Sequence, residues 1–212
     1  TSSPEALKAI IAAGADVVRL NFSHGSPADH KQRAETVLEA AQQAGRHVAL
    51  LADLQGPKIR IGELKEDIKL KKGDEISLES GKSFVGNRNR IFINYINFPK
   101  DIKVGDAVLI DDGKFNFKVI NTDKKSKVII RALNPACLKS RKGVNLPNTK
   151  ISTSSLTSKD KKDIKFAISF EVDWIALSFV REGNDLLKLK KIIEEYSALK
   201  IPVIAKIEKP EA

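Results

Sequence analysis

The segment Val203-Ile204-Ala205-Lys206-Ile207-Glu208 sets an ammonium and a carboxylate two residues apart where an apolar run ends. Alternate residues of a strand share a face, so Lys206 and Glu208 are expected to point the same way. Either they neutralise one another, or Glu208 holds Mg²⁺ beside an ammonium that stabilises developing negative charge. A second constellation is Arg19-Leu20-Asn21-Phe22-Ser23-His24-Gly25. Arg19, Asn21 and Ser23 alternate, which brings a planar guanidinium suited to phosphate or carboxylate together with neutral oxygens suited to a hydroxyl or a weakly held cation. The competing reading pairs Arg19 with a neighbouring carboxylate and leaves the rest to cap the following helix.

Two further stretches carry charge at turns. In Asp53-Leu54-Gln55-Gly56-Pro57-Lys58-Ile59-Arg60, Asp53 follows an apolar run, and two cations follow at alternate positions. Asp53 alone reads as a turn residue, whereas the whole stretch suggests phosphate capture. Ser140-Arg141-Lys142-Gly143-Val144-Asn145-Leu146-Pro147 sets basic residues beside a glycine, which suits either a loop approaching a polyphosphate or a solvated basic turn. His24, His30 and His47 lack metal-ligand spacing, no Ser/His/Asp or Cys/His set is suggested, and neither GxxxxGK[ST] nor GxGxxG occurs.

These residues need scaffolds, and the periodicity supplies them. Ser3 as N-cap and Pro4 at the first helical position open a helix striped by Leu7, Ile10 and Ile11, which stops at Gly14. A strand over 16–22, a helix from Ser26 with Ala34, Val37, Leu38 and Ala41 on one face, and a strand over 47–52 follow. The near-continuous apolar character of the second strand suits a parallel strand covered on both faces. The last quarter repeats the grammar: helix 160–170, strand 172–179, helix 184–196 with Leu186, Leu189, Ile192 and Ile193 inward, and strand 201–207. Strand centres near Val18, Val48, Trp174 and Val203 give outer spacings of about thirty residues, one βα repeat each, and leave roughly 95 surplus residues in the middle. That surplus contains short strand signals at 91–93, 108–110, 115–119 and 127–130, with Asp112-Gly113 as a hairpin signal and no helix expected. The fold class predicted is α/β: a partial (β/α)8 barrel of the TIM type over 1–57 and 151–212, interrupted by an all-β domain, barrel-like in form, over 58–150. In such barrels the reacting residues lie at the C-terminal strand ends, where Arg19, Asp53 and Lys206 fall.

Composition agrees with a globular chain. Of 212 residues, 42% are hydrophobic and 30% charged, which excludes a disordered tail. No run approaches the roughly 20 apolar residues of a membrane span, and one cysteine excludes an internal disulfide framework. The opening Thr1-Ser2-Ser3-Pro4 does not read as a signal peptide, so a cytoplasmic location is expected. Residues 59–150 hold 20 Lys/Arg against 11 Asp/Glu, nearly all of the net +10. A basic segment of this kind either attracts an anionic partner or is a solvated strand surface.

Taken in order, residues 19–25, 53–60, Lys142-Gly143-Val144-Asn145-Leu146-Pro147 and Lys206-Ile207-Glu208 resemble the pyruvate kinase family over essentially the whole chain. The resemblance implies phosphoryl transfer from phosphoenolpyruvate to ADP, giving pyruvate and ATP in glycolysis, with Mg²⁺ (or Mn²⁺) as cofactor and a homotetramer as the full-length assembly. It further implies that Arg19 binds the transferred phosphate and that Lys206 contacts substrate and stabilises the transition state. Glu208 would ligate the divalent metal. Asn21, Ser23, His24, Arg60 and Lys142 would border the nucleotide, with Lys142 reaching phosphate from a mobile β lid. Asn21, Ser23, Asp53 and the backbone of Leu54 would line a monovalent-cation pocket.

The chain departs from many family members, which carry Thr-Lys and then Glu where it has Leu54-Gln55 and Lys58. This pattern is similar to the branch that works without K⁺, so the Lys58 ammonium is expected to replace potassium. The chain also reads as incomplete at both ends, so the fragment alone is expected to be inactive. Rival readings are a Mg²⁺-dependent barrel lyase or aldolase acting on a pyruvate-like enolate, and a nucleic-acid binder using the basic insert. The insert's Phe84, Phe92, Tyr95 and Phe115 carry no RNP-like motif, so neither a nucleic acid nor a membrane is the expected partner.

Overall fold

In a computed structural model, which describes residues 3–208, the chain divides into two compact units: Thr1–Pro57 with Ser154–Ala212, and Lys58–Thr153. The first begins with helix α1 (Pro4–Ala12), strand β1 (Val17–Asn21), helix α2 (Pro27–Gln43) and strand β2 (Ala49–Asp53). Ser3 caps α1 by accepting the Ala6 N–H, with Pro4 at the first helical position. Ser26 and Asp29 form a reciprocal capping box on α2 that satisfies two otherwise orphaned donors. Two residues assigned to buried helix faces lie outside: Ile10 and Leu38 are 40% and 48% exposed. On α2 the buried stripe is instead Ala34, Val37, Ala40 and Ala41, joined by His30. Small alanines let α2 sit close to the sheet, and the larger Leu38 is one step round the helix.

The second unit holds β3 (Ile68–Leu70), β4 (Glu75–Glu79), β5 (Arg90–Phe92), helix α3 (Phe98–Asp101), β6 (Ala107–Ile110), β7 (Phe115–Thr122), β8 (Lys127–Ala132), β9 (Ala136–Leu138) and β10 (Val144–Asn145). Six strands form one sheet in the order β10-β6-β7-β8-β4-β5, and β3 pairs with β9. The one-turn α3 corrects the expectation that no helix occurs here: Pro99 follows its first residue, and the fully buried Phe98 and Ile102 bracket the turn. At the β6–β7 reversal Asp111, Asp112 and Gly113 all have positive φ, the left-handed backbone that a tight hairpin requires. A core from Ile59 to Ile151, including Leu78, Ile91, Phe117 and Ile130, fills this unit.

The first unit resumes with α4 (Ser158–Ser169), β11 (Trp174–Leu177), α5 (Gly183–Tyr196) and β12 (Val203–Ala205). Its four strands pair in parallel in the order β1-β2-β11-β12, forming a curled half-barrel sheet flanked by helices. Leu50, Ala52, Ile175 and Leu177 are buried in it, and Leu189 and Ile193 of α5 pack into the same core. Parallel strands joined by helices run in one direction, so their C-terminal ends gather at one edge.

Candidate active site

The β1–β2 register sets Asn21 opposite Asp53, and the β2–β11 register sets Asp53 opposite Ala176. Chain ends that follow these strands therefore meet. Asp53 is 2% exposed and is the hub. Arg19 Nε donates to its Oδ2 at 2.6 Å, and Lys206 Nζ donates to its Oδ1 at 3.1 Å and Oδ2 at 3.3 Å. Lys206 Nζ also reaches Ser178 Oγ at 2.8 Å and lies 3.4 Å from Glu208 Oε1. The remaining oxygen of Glu208, Oε2, accepts the Phe179 N–H at 3.0 Å.

A carboxylate this deep is tolerated only when paired, and two cations serve it here. Two positive and two negative groups leave the cluster near neutral. Arg19 keeps reserve capacity, since its side chain is 55% exposed and its terminal nitrogens make no hydrogen bond among the described residues. The guanidinium thus meets a neighbouring carboxylate and still presents a fork outward. Likewise Lys206 and Glu208 contact each other, yet each has a further partner.

Asn21, Ser23 and His24 form the turn after β1: the Asn21 side-chain oxygen accepts the Ser23 N–H at 3.0 Å, and the Asn21 carbonyl accepts the His24 N–H at 3.3 Å. Leu54 is buried, with its N–H on the Ala176 carbonyl at 3.0 Å and its own carbonyl accepting Ser178 Oγ at 2.6 Å. Ser178 and Phe179 join the cluster without having been expected from the sequence. The rule that found Lys206, a polar group just past an apolar strand, also marks Ser178 after Ala176-Leu177.

Arg60, Lys142 and Lys58 belong to the second unit. Arg60 and Gly143 form an antiparallel bridge, which brings the two ends of the basic segment together. The Arg60 guanidinium donates to the Arg141 carbonyl at 2.9 Å, and Lys142 Nζ pairs with Asp111 Oδ1 at 2.8 Å. The Lys142 hydrogen bond, working against desolvation, lowers the pKa of Asp111. Asn94 binds the backbone on both sides of Ile59, donating to the Lys58 carbonyl at 3.2 Å and accepting the Arg60 N–H at 2.8 Å.

Below the β1 turn lies a second titratable group. His30 is 2% exposed and stacks on Phe22 at 4.2 Å, and neither ring nitrogen reaches a partner within hydrogen-bond geometry among the described residues. Burial, aided by the Arg33 charge, lowers its pKa. Nearby, Lys159 Nζ donates to the Phe22 carbonyl at 2.6 Å and pairs with Asp163, whose carboxyl is raised by burial despite that lysine.

Among the described residues no three His, Cys, Asp or Glu side chains converge as a metal cage. Glu208 alone suits a magnesium ion held by one carboxylate and completed by water and substrate oxygens, which is how that ion is usually bound.

A parallel half-barrel whose strand ends gather a buried aspartate, two cations and a partly exposed glutamate defines a protein of the (β/α)-barrel class. The pyruvate kinase barrel-domain family model matches residues 1–212, and the chain belongs to that family. Pyruvate kinase of Staphylococcus saprophyticus is 40% identical over 213 residues, covering 100% of this chain and 36% of its own length. Pyruvate kinase of Corynebacterium glutamicum is 40% identical over 211 residues, with 100% and 44% covered, and pyruvate kinase II of Salmonella typhimurium 42% identical over 209, with 97% and 43%. The chain therefore spans about two fifths of the length of these curated relatives.

Proposed function

We propose that the full-length protein is a glycolytic phosphotransferase that moves the phosphoryl group of phosphoenolpyruvate to ADP. The observation that carries this reading is the position of Lys206 Nζ, held between Asp53, Ser178 and Glu208 beside the outward fork of Arg19. Phosphoryl transfer needs little covalent help, so positive charge and positioning supply most of the catalysis. Arg19 binds the transferred phosphate through its free nitrogens. Lys206, held on three acceptors, contributes charge where the enolate oxygen develops it. Glu208 is the magnesium ligand, and Mn²⁺ substitutes; the ion when bound neutralises phosphoryl oxygens.

In the same reading Asn21, Ser23, His24, Arg60 and Lys142 contact the nucleotide. Lys142 is then the group that exchanges Asp111 for a phosphate. The basic β-rich segment serves as a lid, and the protein works in the cytoplasm as a homotetramer without nucleic-acid or membrane partners. Asn21, Ser23, Asp53 and the Leu54 carbonyl form the monovalent-cation pocket, with the Lys58 ammonium replacing K⁺. The 212 residues alone are inactive in this reading, supported by a parallel sheet of four strands among the described residues where a closed barrel has eight. A lactate-dehydrogenase-coupled assay on the full-length protein tests it: wild type forms pyruvate only with ADP present, and Lys206→Met loses turnover by on the order of a hundredfold to a thousandfold. Wild-type protein that fails to turn over, or Lys206→Met at full rate, defeats the assignment.

A further inference from the structure

Among the described residues two helices, α2 and α4, carry capping boxes of the same kind, and their aspartates differ in burial and in what the second oxygen meets. In α2, Asp29 is exposed and spends one oxygen, Oδ2, on the Ser26 N–H and hydroxyl. In α4, Asp160 is 0% exposed. Its Oδ2 serves the cap, accepting the Thr157 N–H at 2.8 Å and the Thr157 hydroxyl at 2.5 Å. Its Oδ1 accepts the N–H of Gly56, 104 residues earlier in the chain, at 3.0 Å. A helix cap needs only the first of these. A fully buried carboxylate whose second oxygen reaches the loop after β2 does something besides capping.

Following that bond outward leads into the cluster. Gly56 has φ +65°, and a Cβ there would meet Phe179 Cδ2 at 2.9 Å, Ser178 Cβ at 3.2 Å and the Ser178 carbonyl at 3.3 Å. The loop thus lies against Ser178 and Phe179 without slack. Two positions before Gly56, the Leu54 carbonyl takes the Ser178 hydroxyl proton at 2.6 Å. A serine hydroxyl has one proton, so Ser178 faces Lys206 as an acceptor, at 2.8 Å. If the loop lifted, that proton would turn to Asp53 Oδ1, now 3.5 Å away, and the lone pair would swing off the ammonium. Phe179 in turn holds Glu208 through its N–H.

We infer that Asp160 is a positioning residue for Lys206 and Glu208, acting through Gly56 and Leu54 on Ser178 and Phe179. The carboxylate sets the height of the Leu54–Gly56 loop, the loop sets which way the Ser178 proton points, and Ser178 and Phe179 orient the ammonium and the carboxylate of the cluster. The kinetic part of this inference rests on the phosphotransferase reading above; the geometric part does not.

The test compares Asp160→Asn with Asp29→Asn, the matching change in the other capping box, in the full-length protein. Asparagine keeps the shape and an acceptor for Gly56, but puts an amide donor against the Thr157 donors. Two measurements are made on both variants. The first is the Lys206 ammonium resonance in side-chain ¹⁵N spectra, assigned by its loss in Lys206→Met. The second is kcat and KM for phosphoenolpyruvate, with the thermal midpoint recorded alongside. Asp160→Asn is expected to shift the Lys206 resonance and to lower kcat by on the order of tenfold to a hundredfold with KM little changed, since ångström-scale misplacement has that effect. Asp29→Asn is expected to move only the midpoint. An unmoved Lys206 resonance in a folded Asp160→Asn protein overturns the inference, as does a kcat loss no larger than that of Asp29→Asn. Were the wild type inactive, the phosphotransferase reading would fail, and the resonance comparison would still decide the positioning role.

Discussion

Replacing Gly56 by alanine separates two costs that usually arrive together. At φ +65° an L-residue pays roughly 1 kcal/mol of backbone strain, partly offset by the stiffer unfolded chain. The added methyl would also stand 2.9 Å from Phe179 Cδ2 and 3.2–3.3 Å from Ser178, and forcing such overlap into a packed site costs about 1–3 kcal/mol. The expected destabilisation is about 2–4 kcal/mol. Gly45 supplies the control, because its φ is +62° and a Cβ there would meet nothing within 4 Å. Gly45→Ala should therefore cost at most about 1 kcal/mol. Both variants can be followed by urea unfolding through the fluorescence of Trp174, the single tryptophan, which lies on β11 a few residues before Ser178. Equal midpoints for the two variants would refute the claim that the loop after β2 is wedged against Ser178 and Phe179.

The remaining expectations concern protons and potassium. His30 has a lowered pKa, so its neutral form contributes stability above the ordinary histidine value of about 6.5 that is lost as pH falls through the folded value. His30→Phe, which keeps the stacking on Phe22, should flatten the fall in stability seen between about pH 7 and 5 in thermal melts, and an unchanged slope would contradict this. Asp123 caps the β7–β8 turn, and backbone N–H groups of Lys127, Lys125 and Ser126 hold its carboxyl at about 2. Its contribution is present above the ordinary carboxylate range and lost as pH falls through that value, so a carboxyl titration by NMR should place its midpoint at about 2, below the ordinary aspartate value of about 3.9. Full-length turnover should persist when K⁺ is exchanged for tetramethylammonium and should become K⁺-dependent in Lys58→Glu; collapse of the wild type on exchange would sink the ammonium substitution.

Much of the barrel half was legible because three independent signals agreed. Ser3-Pro4 and Ser26-Pro27 mark helix starts, apolar runs mark buried parallel strands, and their spacing of about thirty residues marks the repeat. Periodicity alone could not separate Leu38 from Val37 one position away, because which neighbour turns inward depends on how closely the alanines let α2 approach. In the second unit β3, β4, β9 and β10 passed unnoticed: most are two or three residues long, too short for alternation to register, and α3 is a single turn. At the cluster, charged side chains were readable from strand-end positions. Ser178 obeys the same strand-end rule but carries no charge to single it out, and the sequence context of Asp160 is that of any helix cap. Both acquire meaning from partners that are distant in sequence: Gly56 for Asp160, and Leu54 and Lys206 for Ser178.

Among the described residues β1 and β12 each have a strand on one side only. Val17 is 52% exposed on one of these strands, and Ile204 is 37% exposed on the other, with Ile207 at 63% just beyond it. Each rim therefore carries a row of unsatisfied amides and carbonyls next to greasy side chains, the combination that recruits foreign strands. A chemist purifying these 212 residues should expect self-association that grows with concentration. Mild denaturant or Val17→Lys should relieve it.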